Sequence, residues 1–295
     1  MLQFIVSVIS GVTAAAPLFL IASGLTLIYG VMRVLNFAHA ALFMLGAYFA
    51  VELSGGNNYG VGKFVLLGLG SAAIVGAIGL VVERLAFRPL YDRPPEITLL
   101  ASFGLSLFLV GLTNKVWGTD PLTQPLPAAL SKPVHIDRAS ISLYSLVQLA
   151  IAVAVAVGLI LVLRRTRFGT NALAVAEDRE MAAVMGISAR RVSMLVFVLG
   201  SALAGLAGAL IAPTVSVDVG LVPSTLISVF AVVVMGGLGT IEGAALAALA
   251  IGLVQSLTTS YLPTIQPYSF VLLLAVFLVL RPQGILGRRQ LSSEA

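Results

Sequence analysis

The sequence predicts an all-α polytopic membrane protein, one transmembrane domain over residues 1–295, with about eight transmembrane helices and interrupted helices near 30–40 and 236–243. Three observations lead there. Charged residues make up 10% of the chain and hydrophobic residues 59%, whereas soluble domains carry about 25% charged residues. The mean hydropathy is +1.07, too apolar for a chain whose surface must meet water. Uncharged runs also recur at the length of about 20 residues that a helix needs to cross hydrocarbon.

The first run, residues 3–30, lacks a basic leading region and a small-residue cleavage site, so it reads as a span rather than a removed signal. Residues 34–53 read as a second pass with an irregular start. Residues 64–83, 97–117, 143–163 and 192–212 are continuous apolar runs. Residues 225–261 break near their middle and count as two passes, and 266–281 closes the series. That makes about nine passes, or about eight if 34–53 crosses only partly. Gly 29 and Pro 13 suit membrane helices, where both are commoner than in soluble ones.

Basic residues orient the spans. Arg84, Arg88 and Arg93 share one connector, and Arg164, Arg165, Arg167, Arg179, Arg190 and Arg191 share another. Arg281, Arg288 and Arg289 lie in the tail, with Arg33 after the first run. Of the 17 basic residues, only Lys63, Lys115, Lys132 and Arg138 lie elsewhere. Positive charge in short loops stays cytoplasmic, so the three basic segments and the C-terminus are expected inside. The Pro-rich loop 118–142 is expected outside. The formal charge of +5 is thus a topology signal and not a nucleic-acid patch.

The two interruptions carry polar groups at membrane depth, tolerated where protein or a water-filled cavity satisfies them. Both follow a Thr-Leu-Ile run, at Thr26 and Thr225, and paired breaks in two halves of a chain point to a transport path. In the first, Asn36 and His39 are either functional groups or caps for freed backbone, and one role does not exclude the other. In the second, Gly236, Gly237 and Gly239 fit close helix packing. A turn is favoured, because Thr240 and Glu242 follow and begin a new helix. Glu52, Asp218 and Glu242 are expected at the interface rather than buried.

Residues 164–191 are long for a connector and internally ordered. Leu173, Ala176, Met181 and Val184 recur at helical spacing among good helix formers. Asp178 divides the run into two short helices, and Gly186 is placed to end the second. An apolar face held outside the membrane either lies on lipid head groups or docks into a groove on another protein.

Four motifs give the chain a family resemblance. They are Thr26-Leu27-Ile28-Tyr29-Gly30-Val31-Met32-Arg33-Val34-Leu35-Asn36-Phe37-Ala38-His39, continued by Met44-Leu45-Gly46-Ala47-Tyr48; Ala176-Glu177-Asp178 with Met185-Gly186-Ile187; Gly236-Gly237-Leu238-Gly239-Thr240-Ile241-Glu242-Gly243; and Arg281-Pro282-Gln283-Gly284-Ile285-Leu286-Gly287. In this order, and over essentially the whole chain, they resemble the branched-chain amino acid ABC permeases, most of all the LivH-type subunit. The resemblance implies an inner-membrane subunit that pairs with a second, LivM-type permease, two cytoplasmic ATPase subunits and a periplasmic substrate-binding protein. It implies ATP and Mg on the ATPase subunits and no cofactor in this chain. It places the ATPase-coupling role on Gly169, Ala176, Glu177, Asp178, Ala182, Gly186 and Ile187. Asn36, Phe37, His39, Gly236, Gly237, Gly239 and Thr240 are the residues expected along the translocation path. The chain departs from the family pattern at Leu173, where arginine is common, at Asn171, where alanine is, and at Ala40, where glycine usually follows the histidine. Related permeases also carry urea, amides or aromatic acids.

Other functions are less well served. No G-x-x-x-x-G-K-[ST] is present, and Gly60-Val61-Gly62-Lys63 has neither its spacing nor its hydroxyl. An ion-coupled secondary carrier places ionisable groups in mid-span, and the interior runs 64–82, 143–163, 192–212 and 267–280 contain none. With His39 and His135 alone, no H-E-x-x-H and no G-x-S-x-G, hydrolytic constellations are missing. Cys 0 removes disulfides and thiolate chemistry.

Overall fold

A computed structural model describes residues 2–55, 59–91, 93–136, 139–281 and 283–287. Met1, Arg138, Pro282, Arg288 and Arg289, used in reading the sequence, lie outside the described residues. The helices are α1 (Leu2–Met32), α2 (Ala38–Ser54), α3 (Val61–Val82), α4 (Pro95–Trp117), α5 (Leu143–Arg165), α6 (Arg167–Glu177), α7 (Arg179–Val184), α8 (Ala189–Ile211), α9 (Leu221–Gly236), α10 (Ile241–Tyr261) and α11 (Gln266–Leu280). A π-helical turn (Glu83–Phe87) and a 3₁₀ turn (Arg88–Leu90) prolong α3. One short antiparallel hairpin, β1 (Pro133–Ile136) and β2 (Ala139–Ser142), sits in the loop before α5.

Among the described residues six helices are long and apolar enough to cross a membrane, namely α1, α3, α4, α5, α8 and α10. The apolar helices α2, α9 and α11 have 17, 16 and 15 residues. At about 1.5 Å per residue they reach about 22 to 26 Å, short of a hydrocarbon core of about 30 Å. Of these, α2 begins just after the first break and α9 ends at the second. The chain is a polytopic all-α membrane protein.

Successive apolar helices run in opposite directions, which contacts at the two ends make plain. At one end, Ser7 of α1 donates to Ser260 of α10 at 2.7 Å, and Trp117 of α4 donates to Glu52 of α2 at 3.2 Å. There too Leu122 and Val217 exchange backbone hydrogen bonds of 2.9 and 2.8 Å, tying the loop after α4 to the one after α8. At the other end Arg33 meets Ala176, and Gly237 meets Gly284. This second end collects Arg33, the turn after α3, the α6–α7 segment and the tail, and is called the basic end below.

Helix α8 is the centre of the bundle and packs on α1, α2 and α3, while α1 also packs on α10. Small residues permit this closeness. A methyl on Gly200 of α8 would meet the Ile28 side chain at 2.6 Å and the Gly24 carbonyl of α1 at 2.9 Å. One on Gly205 would meet Val75 of α3 at 2.7 Å, and Gly208 faces the α2 backbone at Phe43 and Ala47. In lipid, where apolar burial drives little, such backbone approach is the main source of helix association. The carbonyl of Leu210, near the α8 C-terminus, receives Tyr144 Oη at 2.5 Å and Gln148 Nε2 at 2.7 Å from α5, so a helix-end acceptor is satisfied. The outward faces of α4 and α5 stay apolar and exposed, as at Leu100, Phe108, Val153 and Leu161.

Candidate functional site at the basic end

The first break begins where Arg33 turns left-handed, φ 57°, and ends α1. Its guanidinium donates to the Ala176 carbonyl in the last turn of α6 at 3.1 Å. Asn36 caps the start of α2, its Oδ1 accepting the Ala38 N–H at 3.0 Å and its carbonyl the His39 N–H at 3.2 Å. The Phe37 N–H donates to Ser102 Oγ of α4 at 3.0 Å, and the Phe37 ring lies 5.1 Å from that of Phe230 and 6.1 Å from that of Phe103. His39 reaches back to α1, with Nε2 3.0 Å from the Ile21 carbonyl. That partner can only accept, so Nε2 carries the proton. Asn36 Nδ2, His39 Nδ1 and Thr26 Oγ1 are buried with no hydrogen-bond partner among the described residues.

The second break is built from Gly237 at φ 98° and Gly239 at φ 85°, a left-handed region that a side chain would strain. Thr240 Oγ1 donates back to Gly237 and Gly236 carbonyls at 2.8 and 3.1 Å. The tail closes this turn. Ile285 N–H donates to the Met235 carbonyl at 2.8 Å and Leu286 N–H to Gly236 at 3.1 Å, so the last acceptors of α9 are satisfied by residues 50 positions downstream.

The two breaks touch. A methyl on Gly239 would stand 2.9 Å from Gly30 Cα, and one on Gly30 would stand 3.2 Å from the Gly239 carbonyl oxygen.

Against this joint lies the α6–α7 segment. Thr166 caps α6 by accepting the Gly169 N–H at 3.1 Å, and Gly169 rides directly on the Leu163 backbone. Asp178 ends α6 and caps α7, its Oδ1 accepting Glu180 and Met181 N–H groups, both at 2.9 Å. Beyond α7, Ile187 N–H donates to Ala182 at 2.9 Å and Gly186 N–H to Ala183 at 3.0 Å, with Gly186 at φ 81°. This is a Schellman stop. Ala182 is buried, Ile187 half-buried and Glu177 exposed. Four large apolar residues of the segment, Leu173, Met181, Val184 and Met185, are 55%, 58%, 81% and 75% exposed, beside the exposed Arg167, Glu177, Asp178 and Glu180. Arg179, Ala183, Gly186 and Arg190 border an open depression of about 560 Å³ beside them.

Of the residues expected along a path, Asn36, His39, Gly236 and Gly237 are buried within this chain, whereas Phe37, Gly239 and Thr240 are half-buried. Glu52 is exposed, Asp218 and Glu242 are half-buried, and none of the three is buried. Three contacts escaped the sequence reading. Arg164 pairs with Glu242 at 2.9 Å, joining the end of α5 to the start of α10. Tyr91 donates to Glu83 Oε1 at 2.6 Å, and the Arg179 guanidinium lies 4.9 Å from the Tyr91 ring centroid. Nothing in the spacing of these residues announces the contacts, which depend on how distant helices meet.

Residues 26–39, 176–187, 236–243 and 283–287 of the four motifs thus gather at the basic end, while residues 44–48 run along α2 toward the other end. The model of the branched-chain amino acid transport system permease component matches residues 7–280. The chain belongs to this permease family. It is 31% identical to the high-affinity branched-chain amino acid transport system permease protein LivH of Escherichia coli (strain K12), over 97% of this chain and 96% of that one. It is 30% identical to the corresponding protein BraD of Pseudomonas aeruginosa, again over 97% and 96%. A probable branched-chain amino acid transport permease protein LivH of Methanocaldococcus jannaschii is 30% identical over 92% of this chain and 88% of its own. No solved structure matches. The protein is a multi-pass permease component, the non-catalytic part of such a transport system.

Proposed function

We propose that this permease is the conducting subunit of an ATP-driven importer of branched-chain or other hydrophobic amino acids in a bacterial-type inner membrane. Separate ATPase subunits carry ATP and Mg and supply the energy. The observation that carries this reading is the apolar face of Leu173, Met181, Val184 and Met185, exposed on a segment whose helices are capped at Thr166 and Asp178 and stopped at Gly186. A helix pair so well terminated is a rigid body, and its uncovered face fits a groove on another protein. The basic end is then cytoplasmic, with the C-terminus on that side.

In this reading Gly169, Ala176, Glu177, Asp178, Ala182, Gly186 and Ile187 form the coupling segment. Closure of the ATPase dimer moves it as a lever. The movement reaches α1 and α2 through Arg33 and Ala176, and α10 through Arg164 and Glu242. The two breaks form the joint that responds. Asn36, His39, Gly236 and Gly237 hold it from behind, and Phe37, Gly239 and Thr240 border the path between this chain and a second permease subunit. The loops tied by Leu122 and Val217 receive the loaded binding protein on the opposite side.

The test is uptake in proteoliposomes holding the permease pair, the ATPase subunits and the binding protein. Gly186→Trp and Asp178→Trp are expected to insert and assemble yet to lower the substrate imported per ATP hydrolysed. Wild-type uptake per ATP in both variants would refute the coupling assignment, and failure of every aliphatic amino acid to be imported by the wild type would refute the substrate class.

A further inference from the structure

The coupling segment has a further link to the bundle, through the connector between α3 and α4. Helix α7 is short and most of its large side chains point outward, as Met181 and Val184 do. Inward it offers buried Ala182 and, at its first position, Arg179. The Arg179 guanidinium stands 4.9 Å from the centre of the Tyr91 ring, within the range of about 6 Å where a cation is drawn to an aromatic face. Tyr91 lies in the connector between α3 and α4, and its hydroxyl donates to Glu83 at 2.6 Å.

Glu83 is the unusual member. It is 1% exposed, in the π-helical turn that prolongs α3, and its Oε2 has no hydrogen-bond partner among the described residues. A buried carboxylate is costly unless it is hydrogen-bonded, so the Tyr91 hydroxyl is a contact that Glu83 does not give up cheaply. The Tyr91 ring also packs against a small apolar cluster of Ile28 and Met32 from α1, Val82 and Phe87 from the α3 end, and Phe197 from α8. The Phe87 and Phe197 rings are 4.9 Å apart. One side chain therefore joins the coupling segment on one side to a cluster on the other, to which three spanning helices contribute.

We propose that Tyr91 is a positioning residue of transport, the link by which movement of the coupling segment reaches α3 and α8, with Arg179 seated on its ring and Glu83 gripping its hydroxyl. This rests on reading residues 164–191 as the coupling segment. A π-helical turn suits the role, because such turns break the regular hydrogen-bond ladder and recur at functional sites. Burial first, then the hydrogen bond and charge of Glu83, push the Tyr91 phenol well above its ordinary range, against the smaller opposing influence of Arg179 and Arg88. The hydroxyl therefore remains a donor at any working pH.

The experiment compares Tyr91→Phe, Tyr91→Ala and Arg179→Lys with wild type in the assembled transporter, reading uptake and ATP hydrolysis in the same proteoliposomes. Tyr91→Ala is expected to lower uptake per ATP hydrolysed by about 2- to 30-fold, the range of effects along coupling networks. Tyr91→Phe, which keeps the seat for Arg179 but loses the grip on Glu83, is expected in between, and Arg179→Lys closest to wild type. If Tyr91→Ala does not assemble, Tyr91→Phe decides: a lowered ratio supports the link and a wild-type ratio overturns it. Gly186→Trp in the same assay separates the two readings. A lowered ratio in Gly186→Trp beside wild-type ratios in the Tyr91 variants overturns the role of Tyr91 alone. Wild-type ratios in all of them overturn the coupling segment as well.

Discussion

Gly30 and Gly239 lie backbone against backbone, so that a methyl on Gly239 would stand 2.9 Å from Gly30 Cα. Through this contact the end of α1 and the turn between α9 and α10 form one joint, although 209 positions separate them in the chain.

Gly239→Ala strains this joint twice, once by the overlap and once because φ 85° disfavours a side chain, an effect of about 1 to 2 kcal/mol per residue from conformation alone. The variant is expected to lose most uptake and to melt earlier in detergent. Gly104→Ala on α4, where a methyl meets nothing within 4 Å, is the control and is expected to match wild type. Thermal unfolding and uptake of both variants check this.

Gly208→Leu should do more damage, because α8 presses there on the α2 backbone at Phe43 and Ala47. Overpacking of a close-packed site costs about 1 to 3 kcal/mol and occasionally more, and here no flexible side chain can give way. The expected outcome is loss of monodisperse protein after detergent extraction, measured by size-exclusion chromatography.

The ion pair of Arg164 and Glu242 is exposed, at 69% and 43% of their side chains, and contributes about 0 to 1 kcal/mol to stability. Its expected importance lies in orientation. Arg164→Glu and Glu242→Arg should each reduce uptake with little change in melting, and the double exchange should restore it in part. The single-variant effect should shrink in high salt, which screens exposed charges.

Asp178→Ala removes the cap of α7 and is expected to cost about 1 kcal/mol of local helix stability, with Asp178→Asn retaining the acceptor and most of the function. Hydrogen exchange over residues 179–187 tests this, as faster exchange in the alanine variant than in the asparagine variant.

These elements differ in how far the sequence revealed them. The breaks were legible because Arg33, Asn36 and His39 intrude between apolar runs, and because Gly236, Gly237 and Gly239 crowd into a turn. Helices α6 and α7 were legible from the division at Asp178 and the stop at Gly186, both local signals. Tertiary contacts were not. The meeting of Gly30 with Gly239, the closure of the second break by Ile285 and Leu286, and the pairing of Arg164 with Glu242 all depend on which helices lie side by side. Glu83 marks a different limit: the sequence reading ends the third span there, whereas the helix runs on through a π turn and a 3₁₀ turn to Leu90 and carries the carboxylate inside. Asn36 and His39 were read as either functional groups or caps. In the structure Asn36 Oδ1 accepts the Ala38 N–H at the start of α2 and His39 Nε2 meets the Ile21 carbonyl of α1, contacts that do not exclude a functional role.

The most direct test of the proposed function is on which side of the membrane the α6–α7 segment lies and what covers it. The chain has no cysteine, so Met185→Cys places a single thiol on the exposed face of that segment for a membrane-impermeant maleimide. Labelling is predicted in inside-out vesicles and not in intact spheroplasts, with protection once the ATPase subunits are bound. Labelling from the outer side, or equal labelling with and without the ATPase subunits, would contradict it.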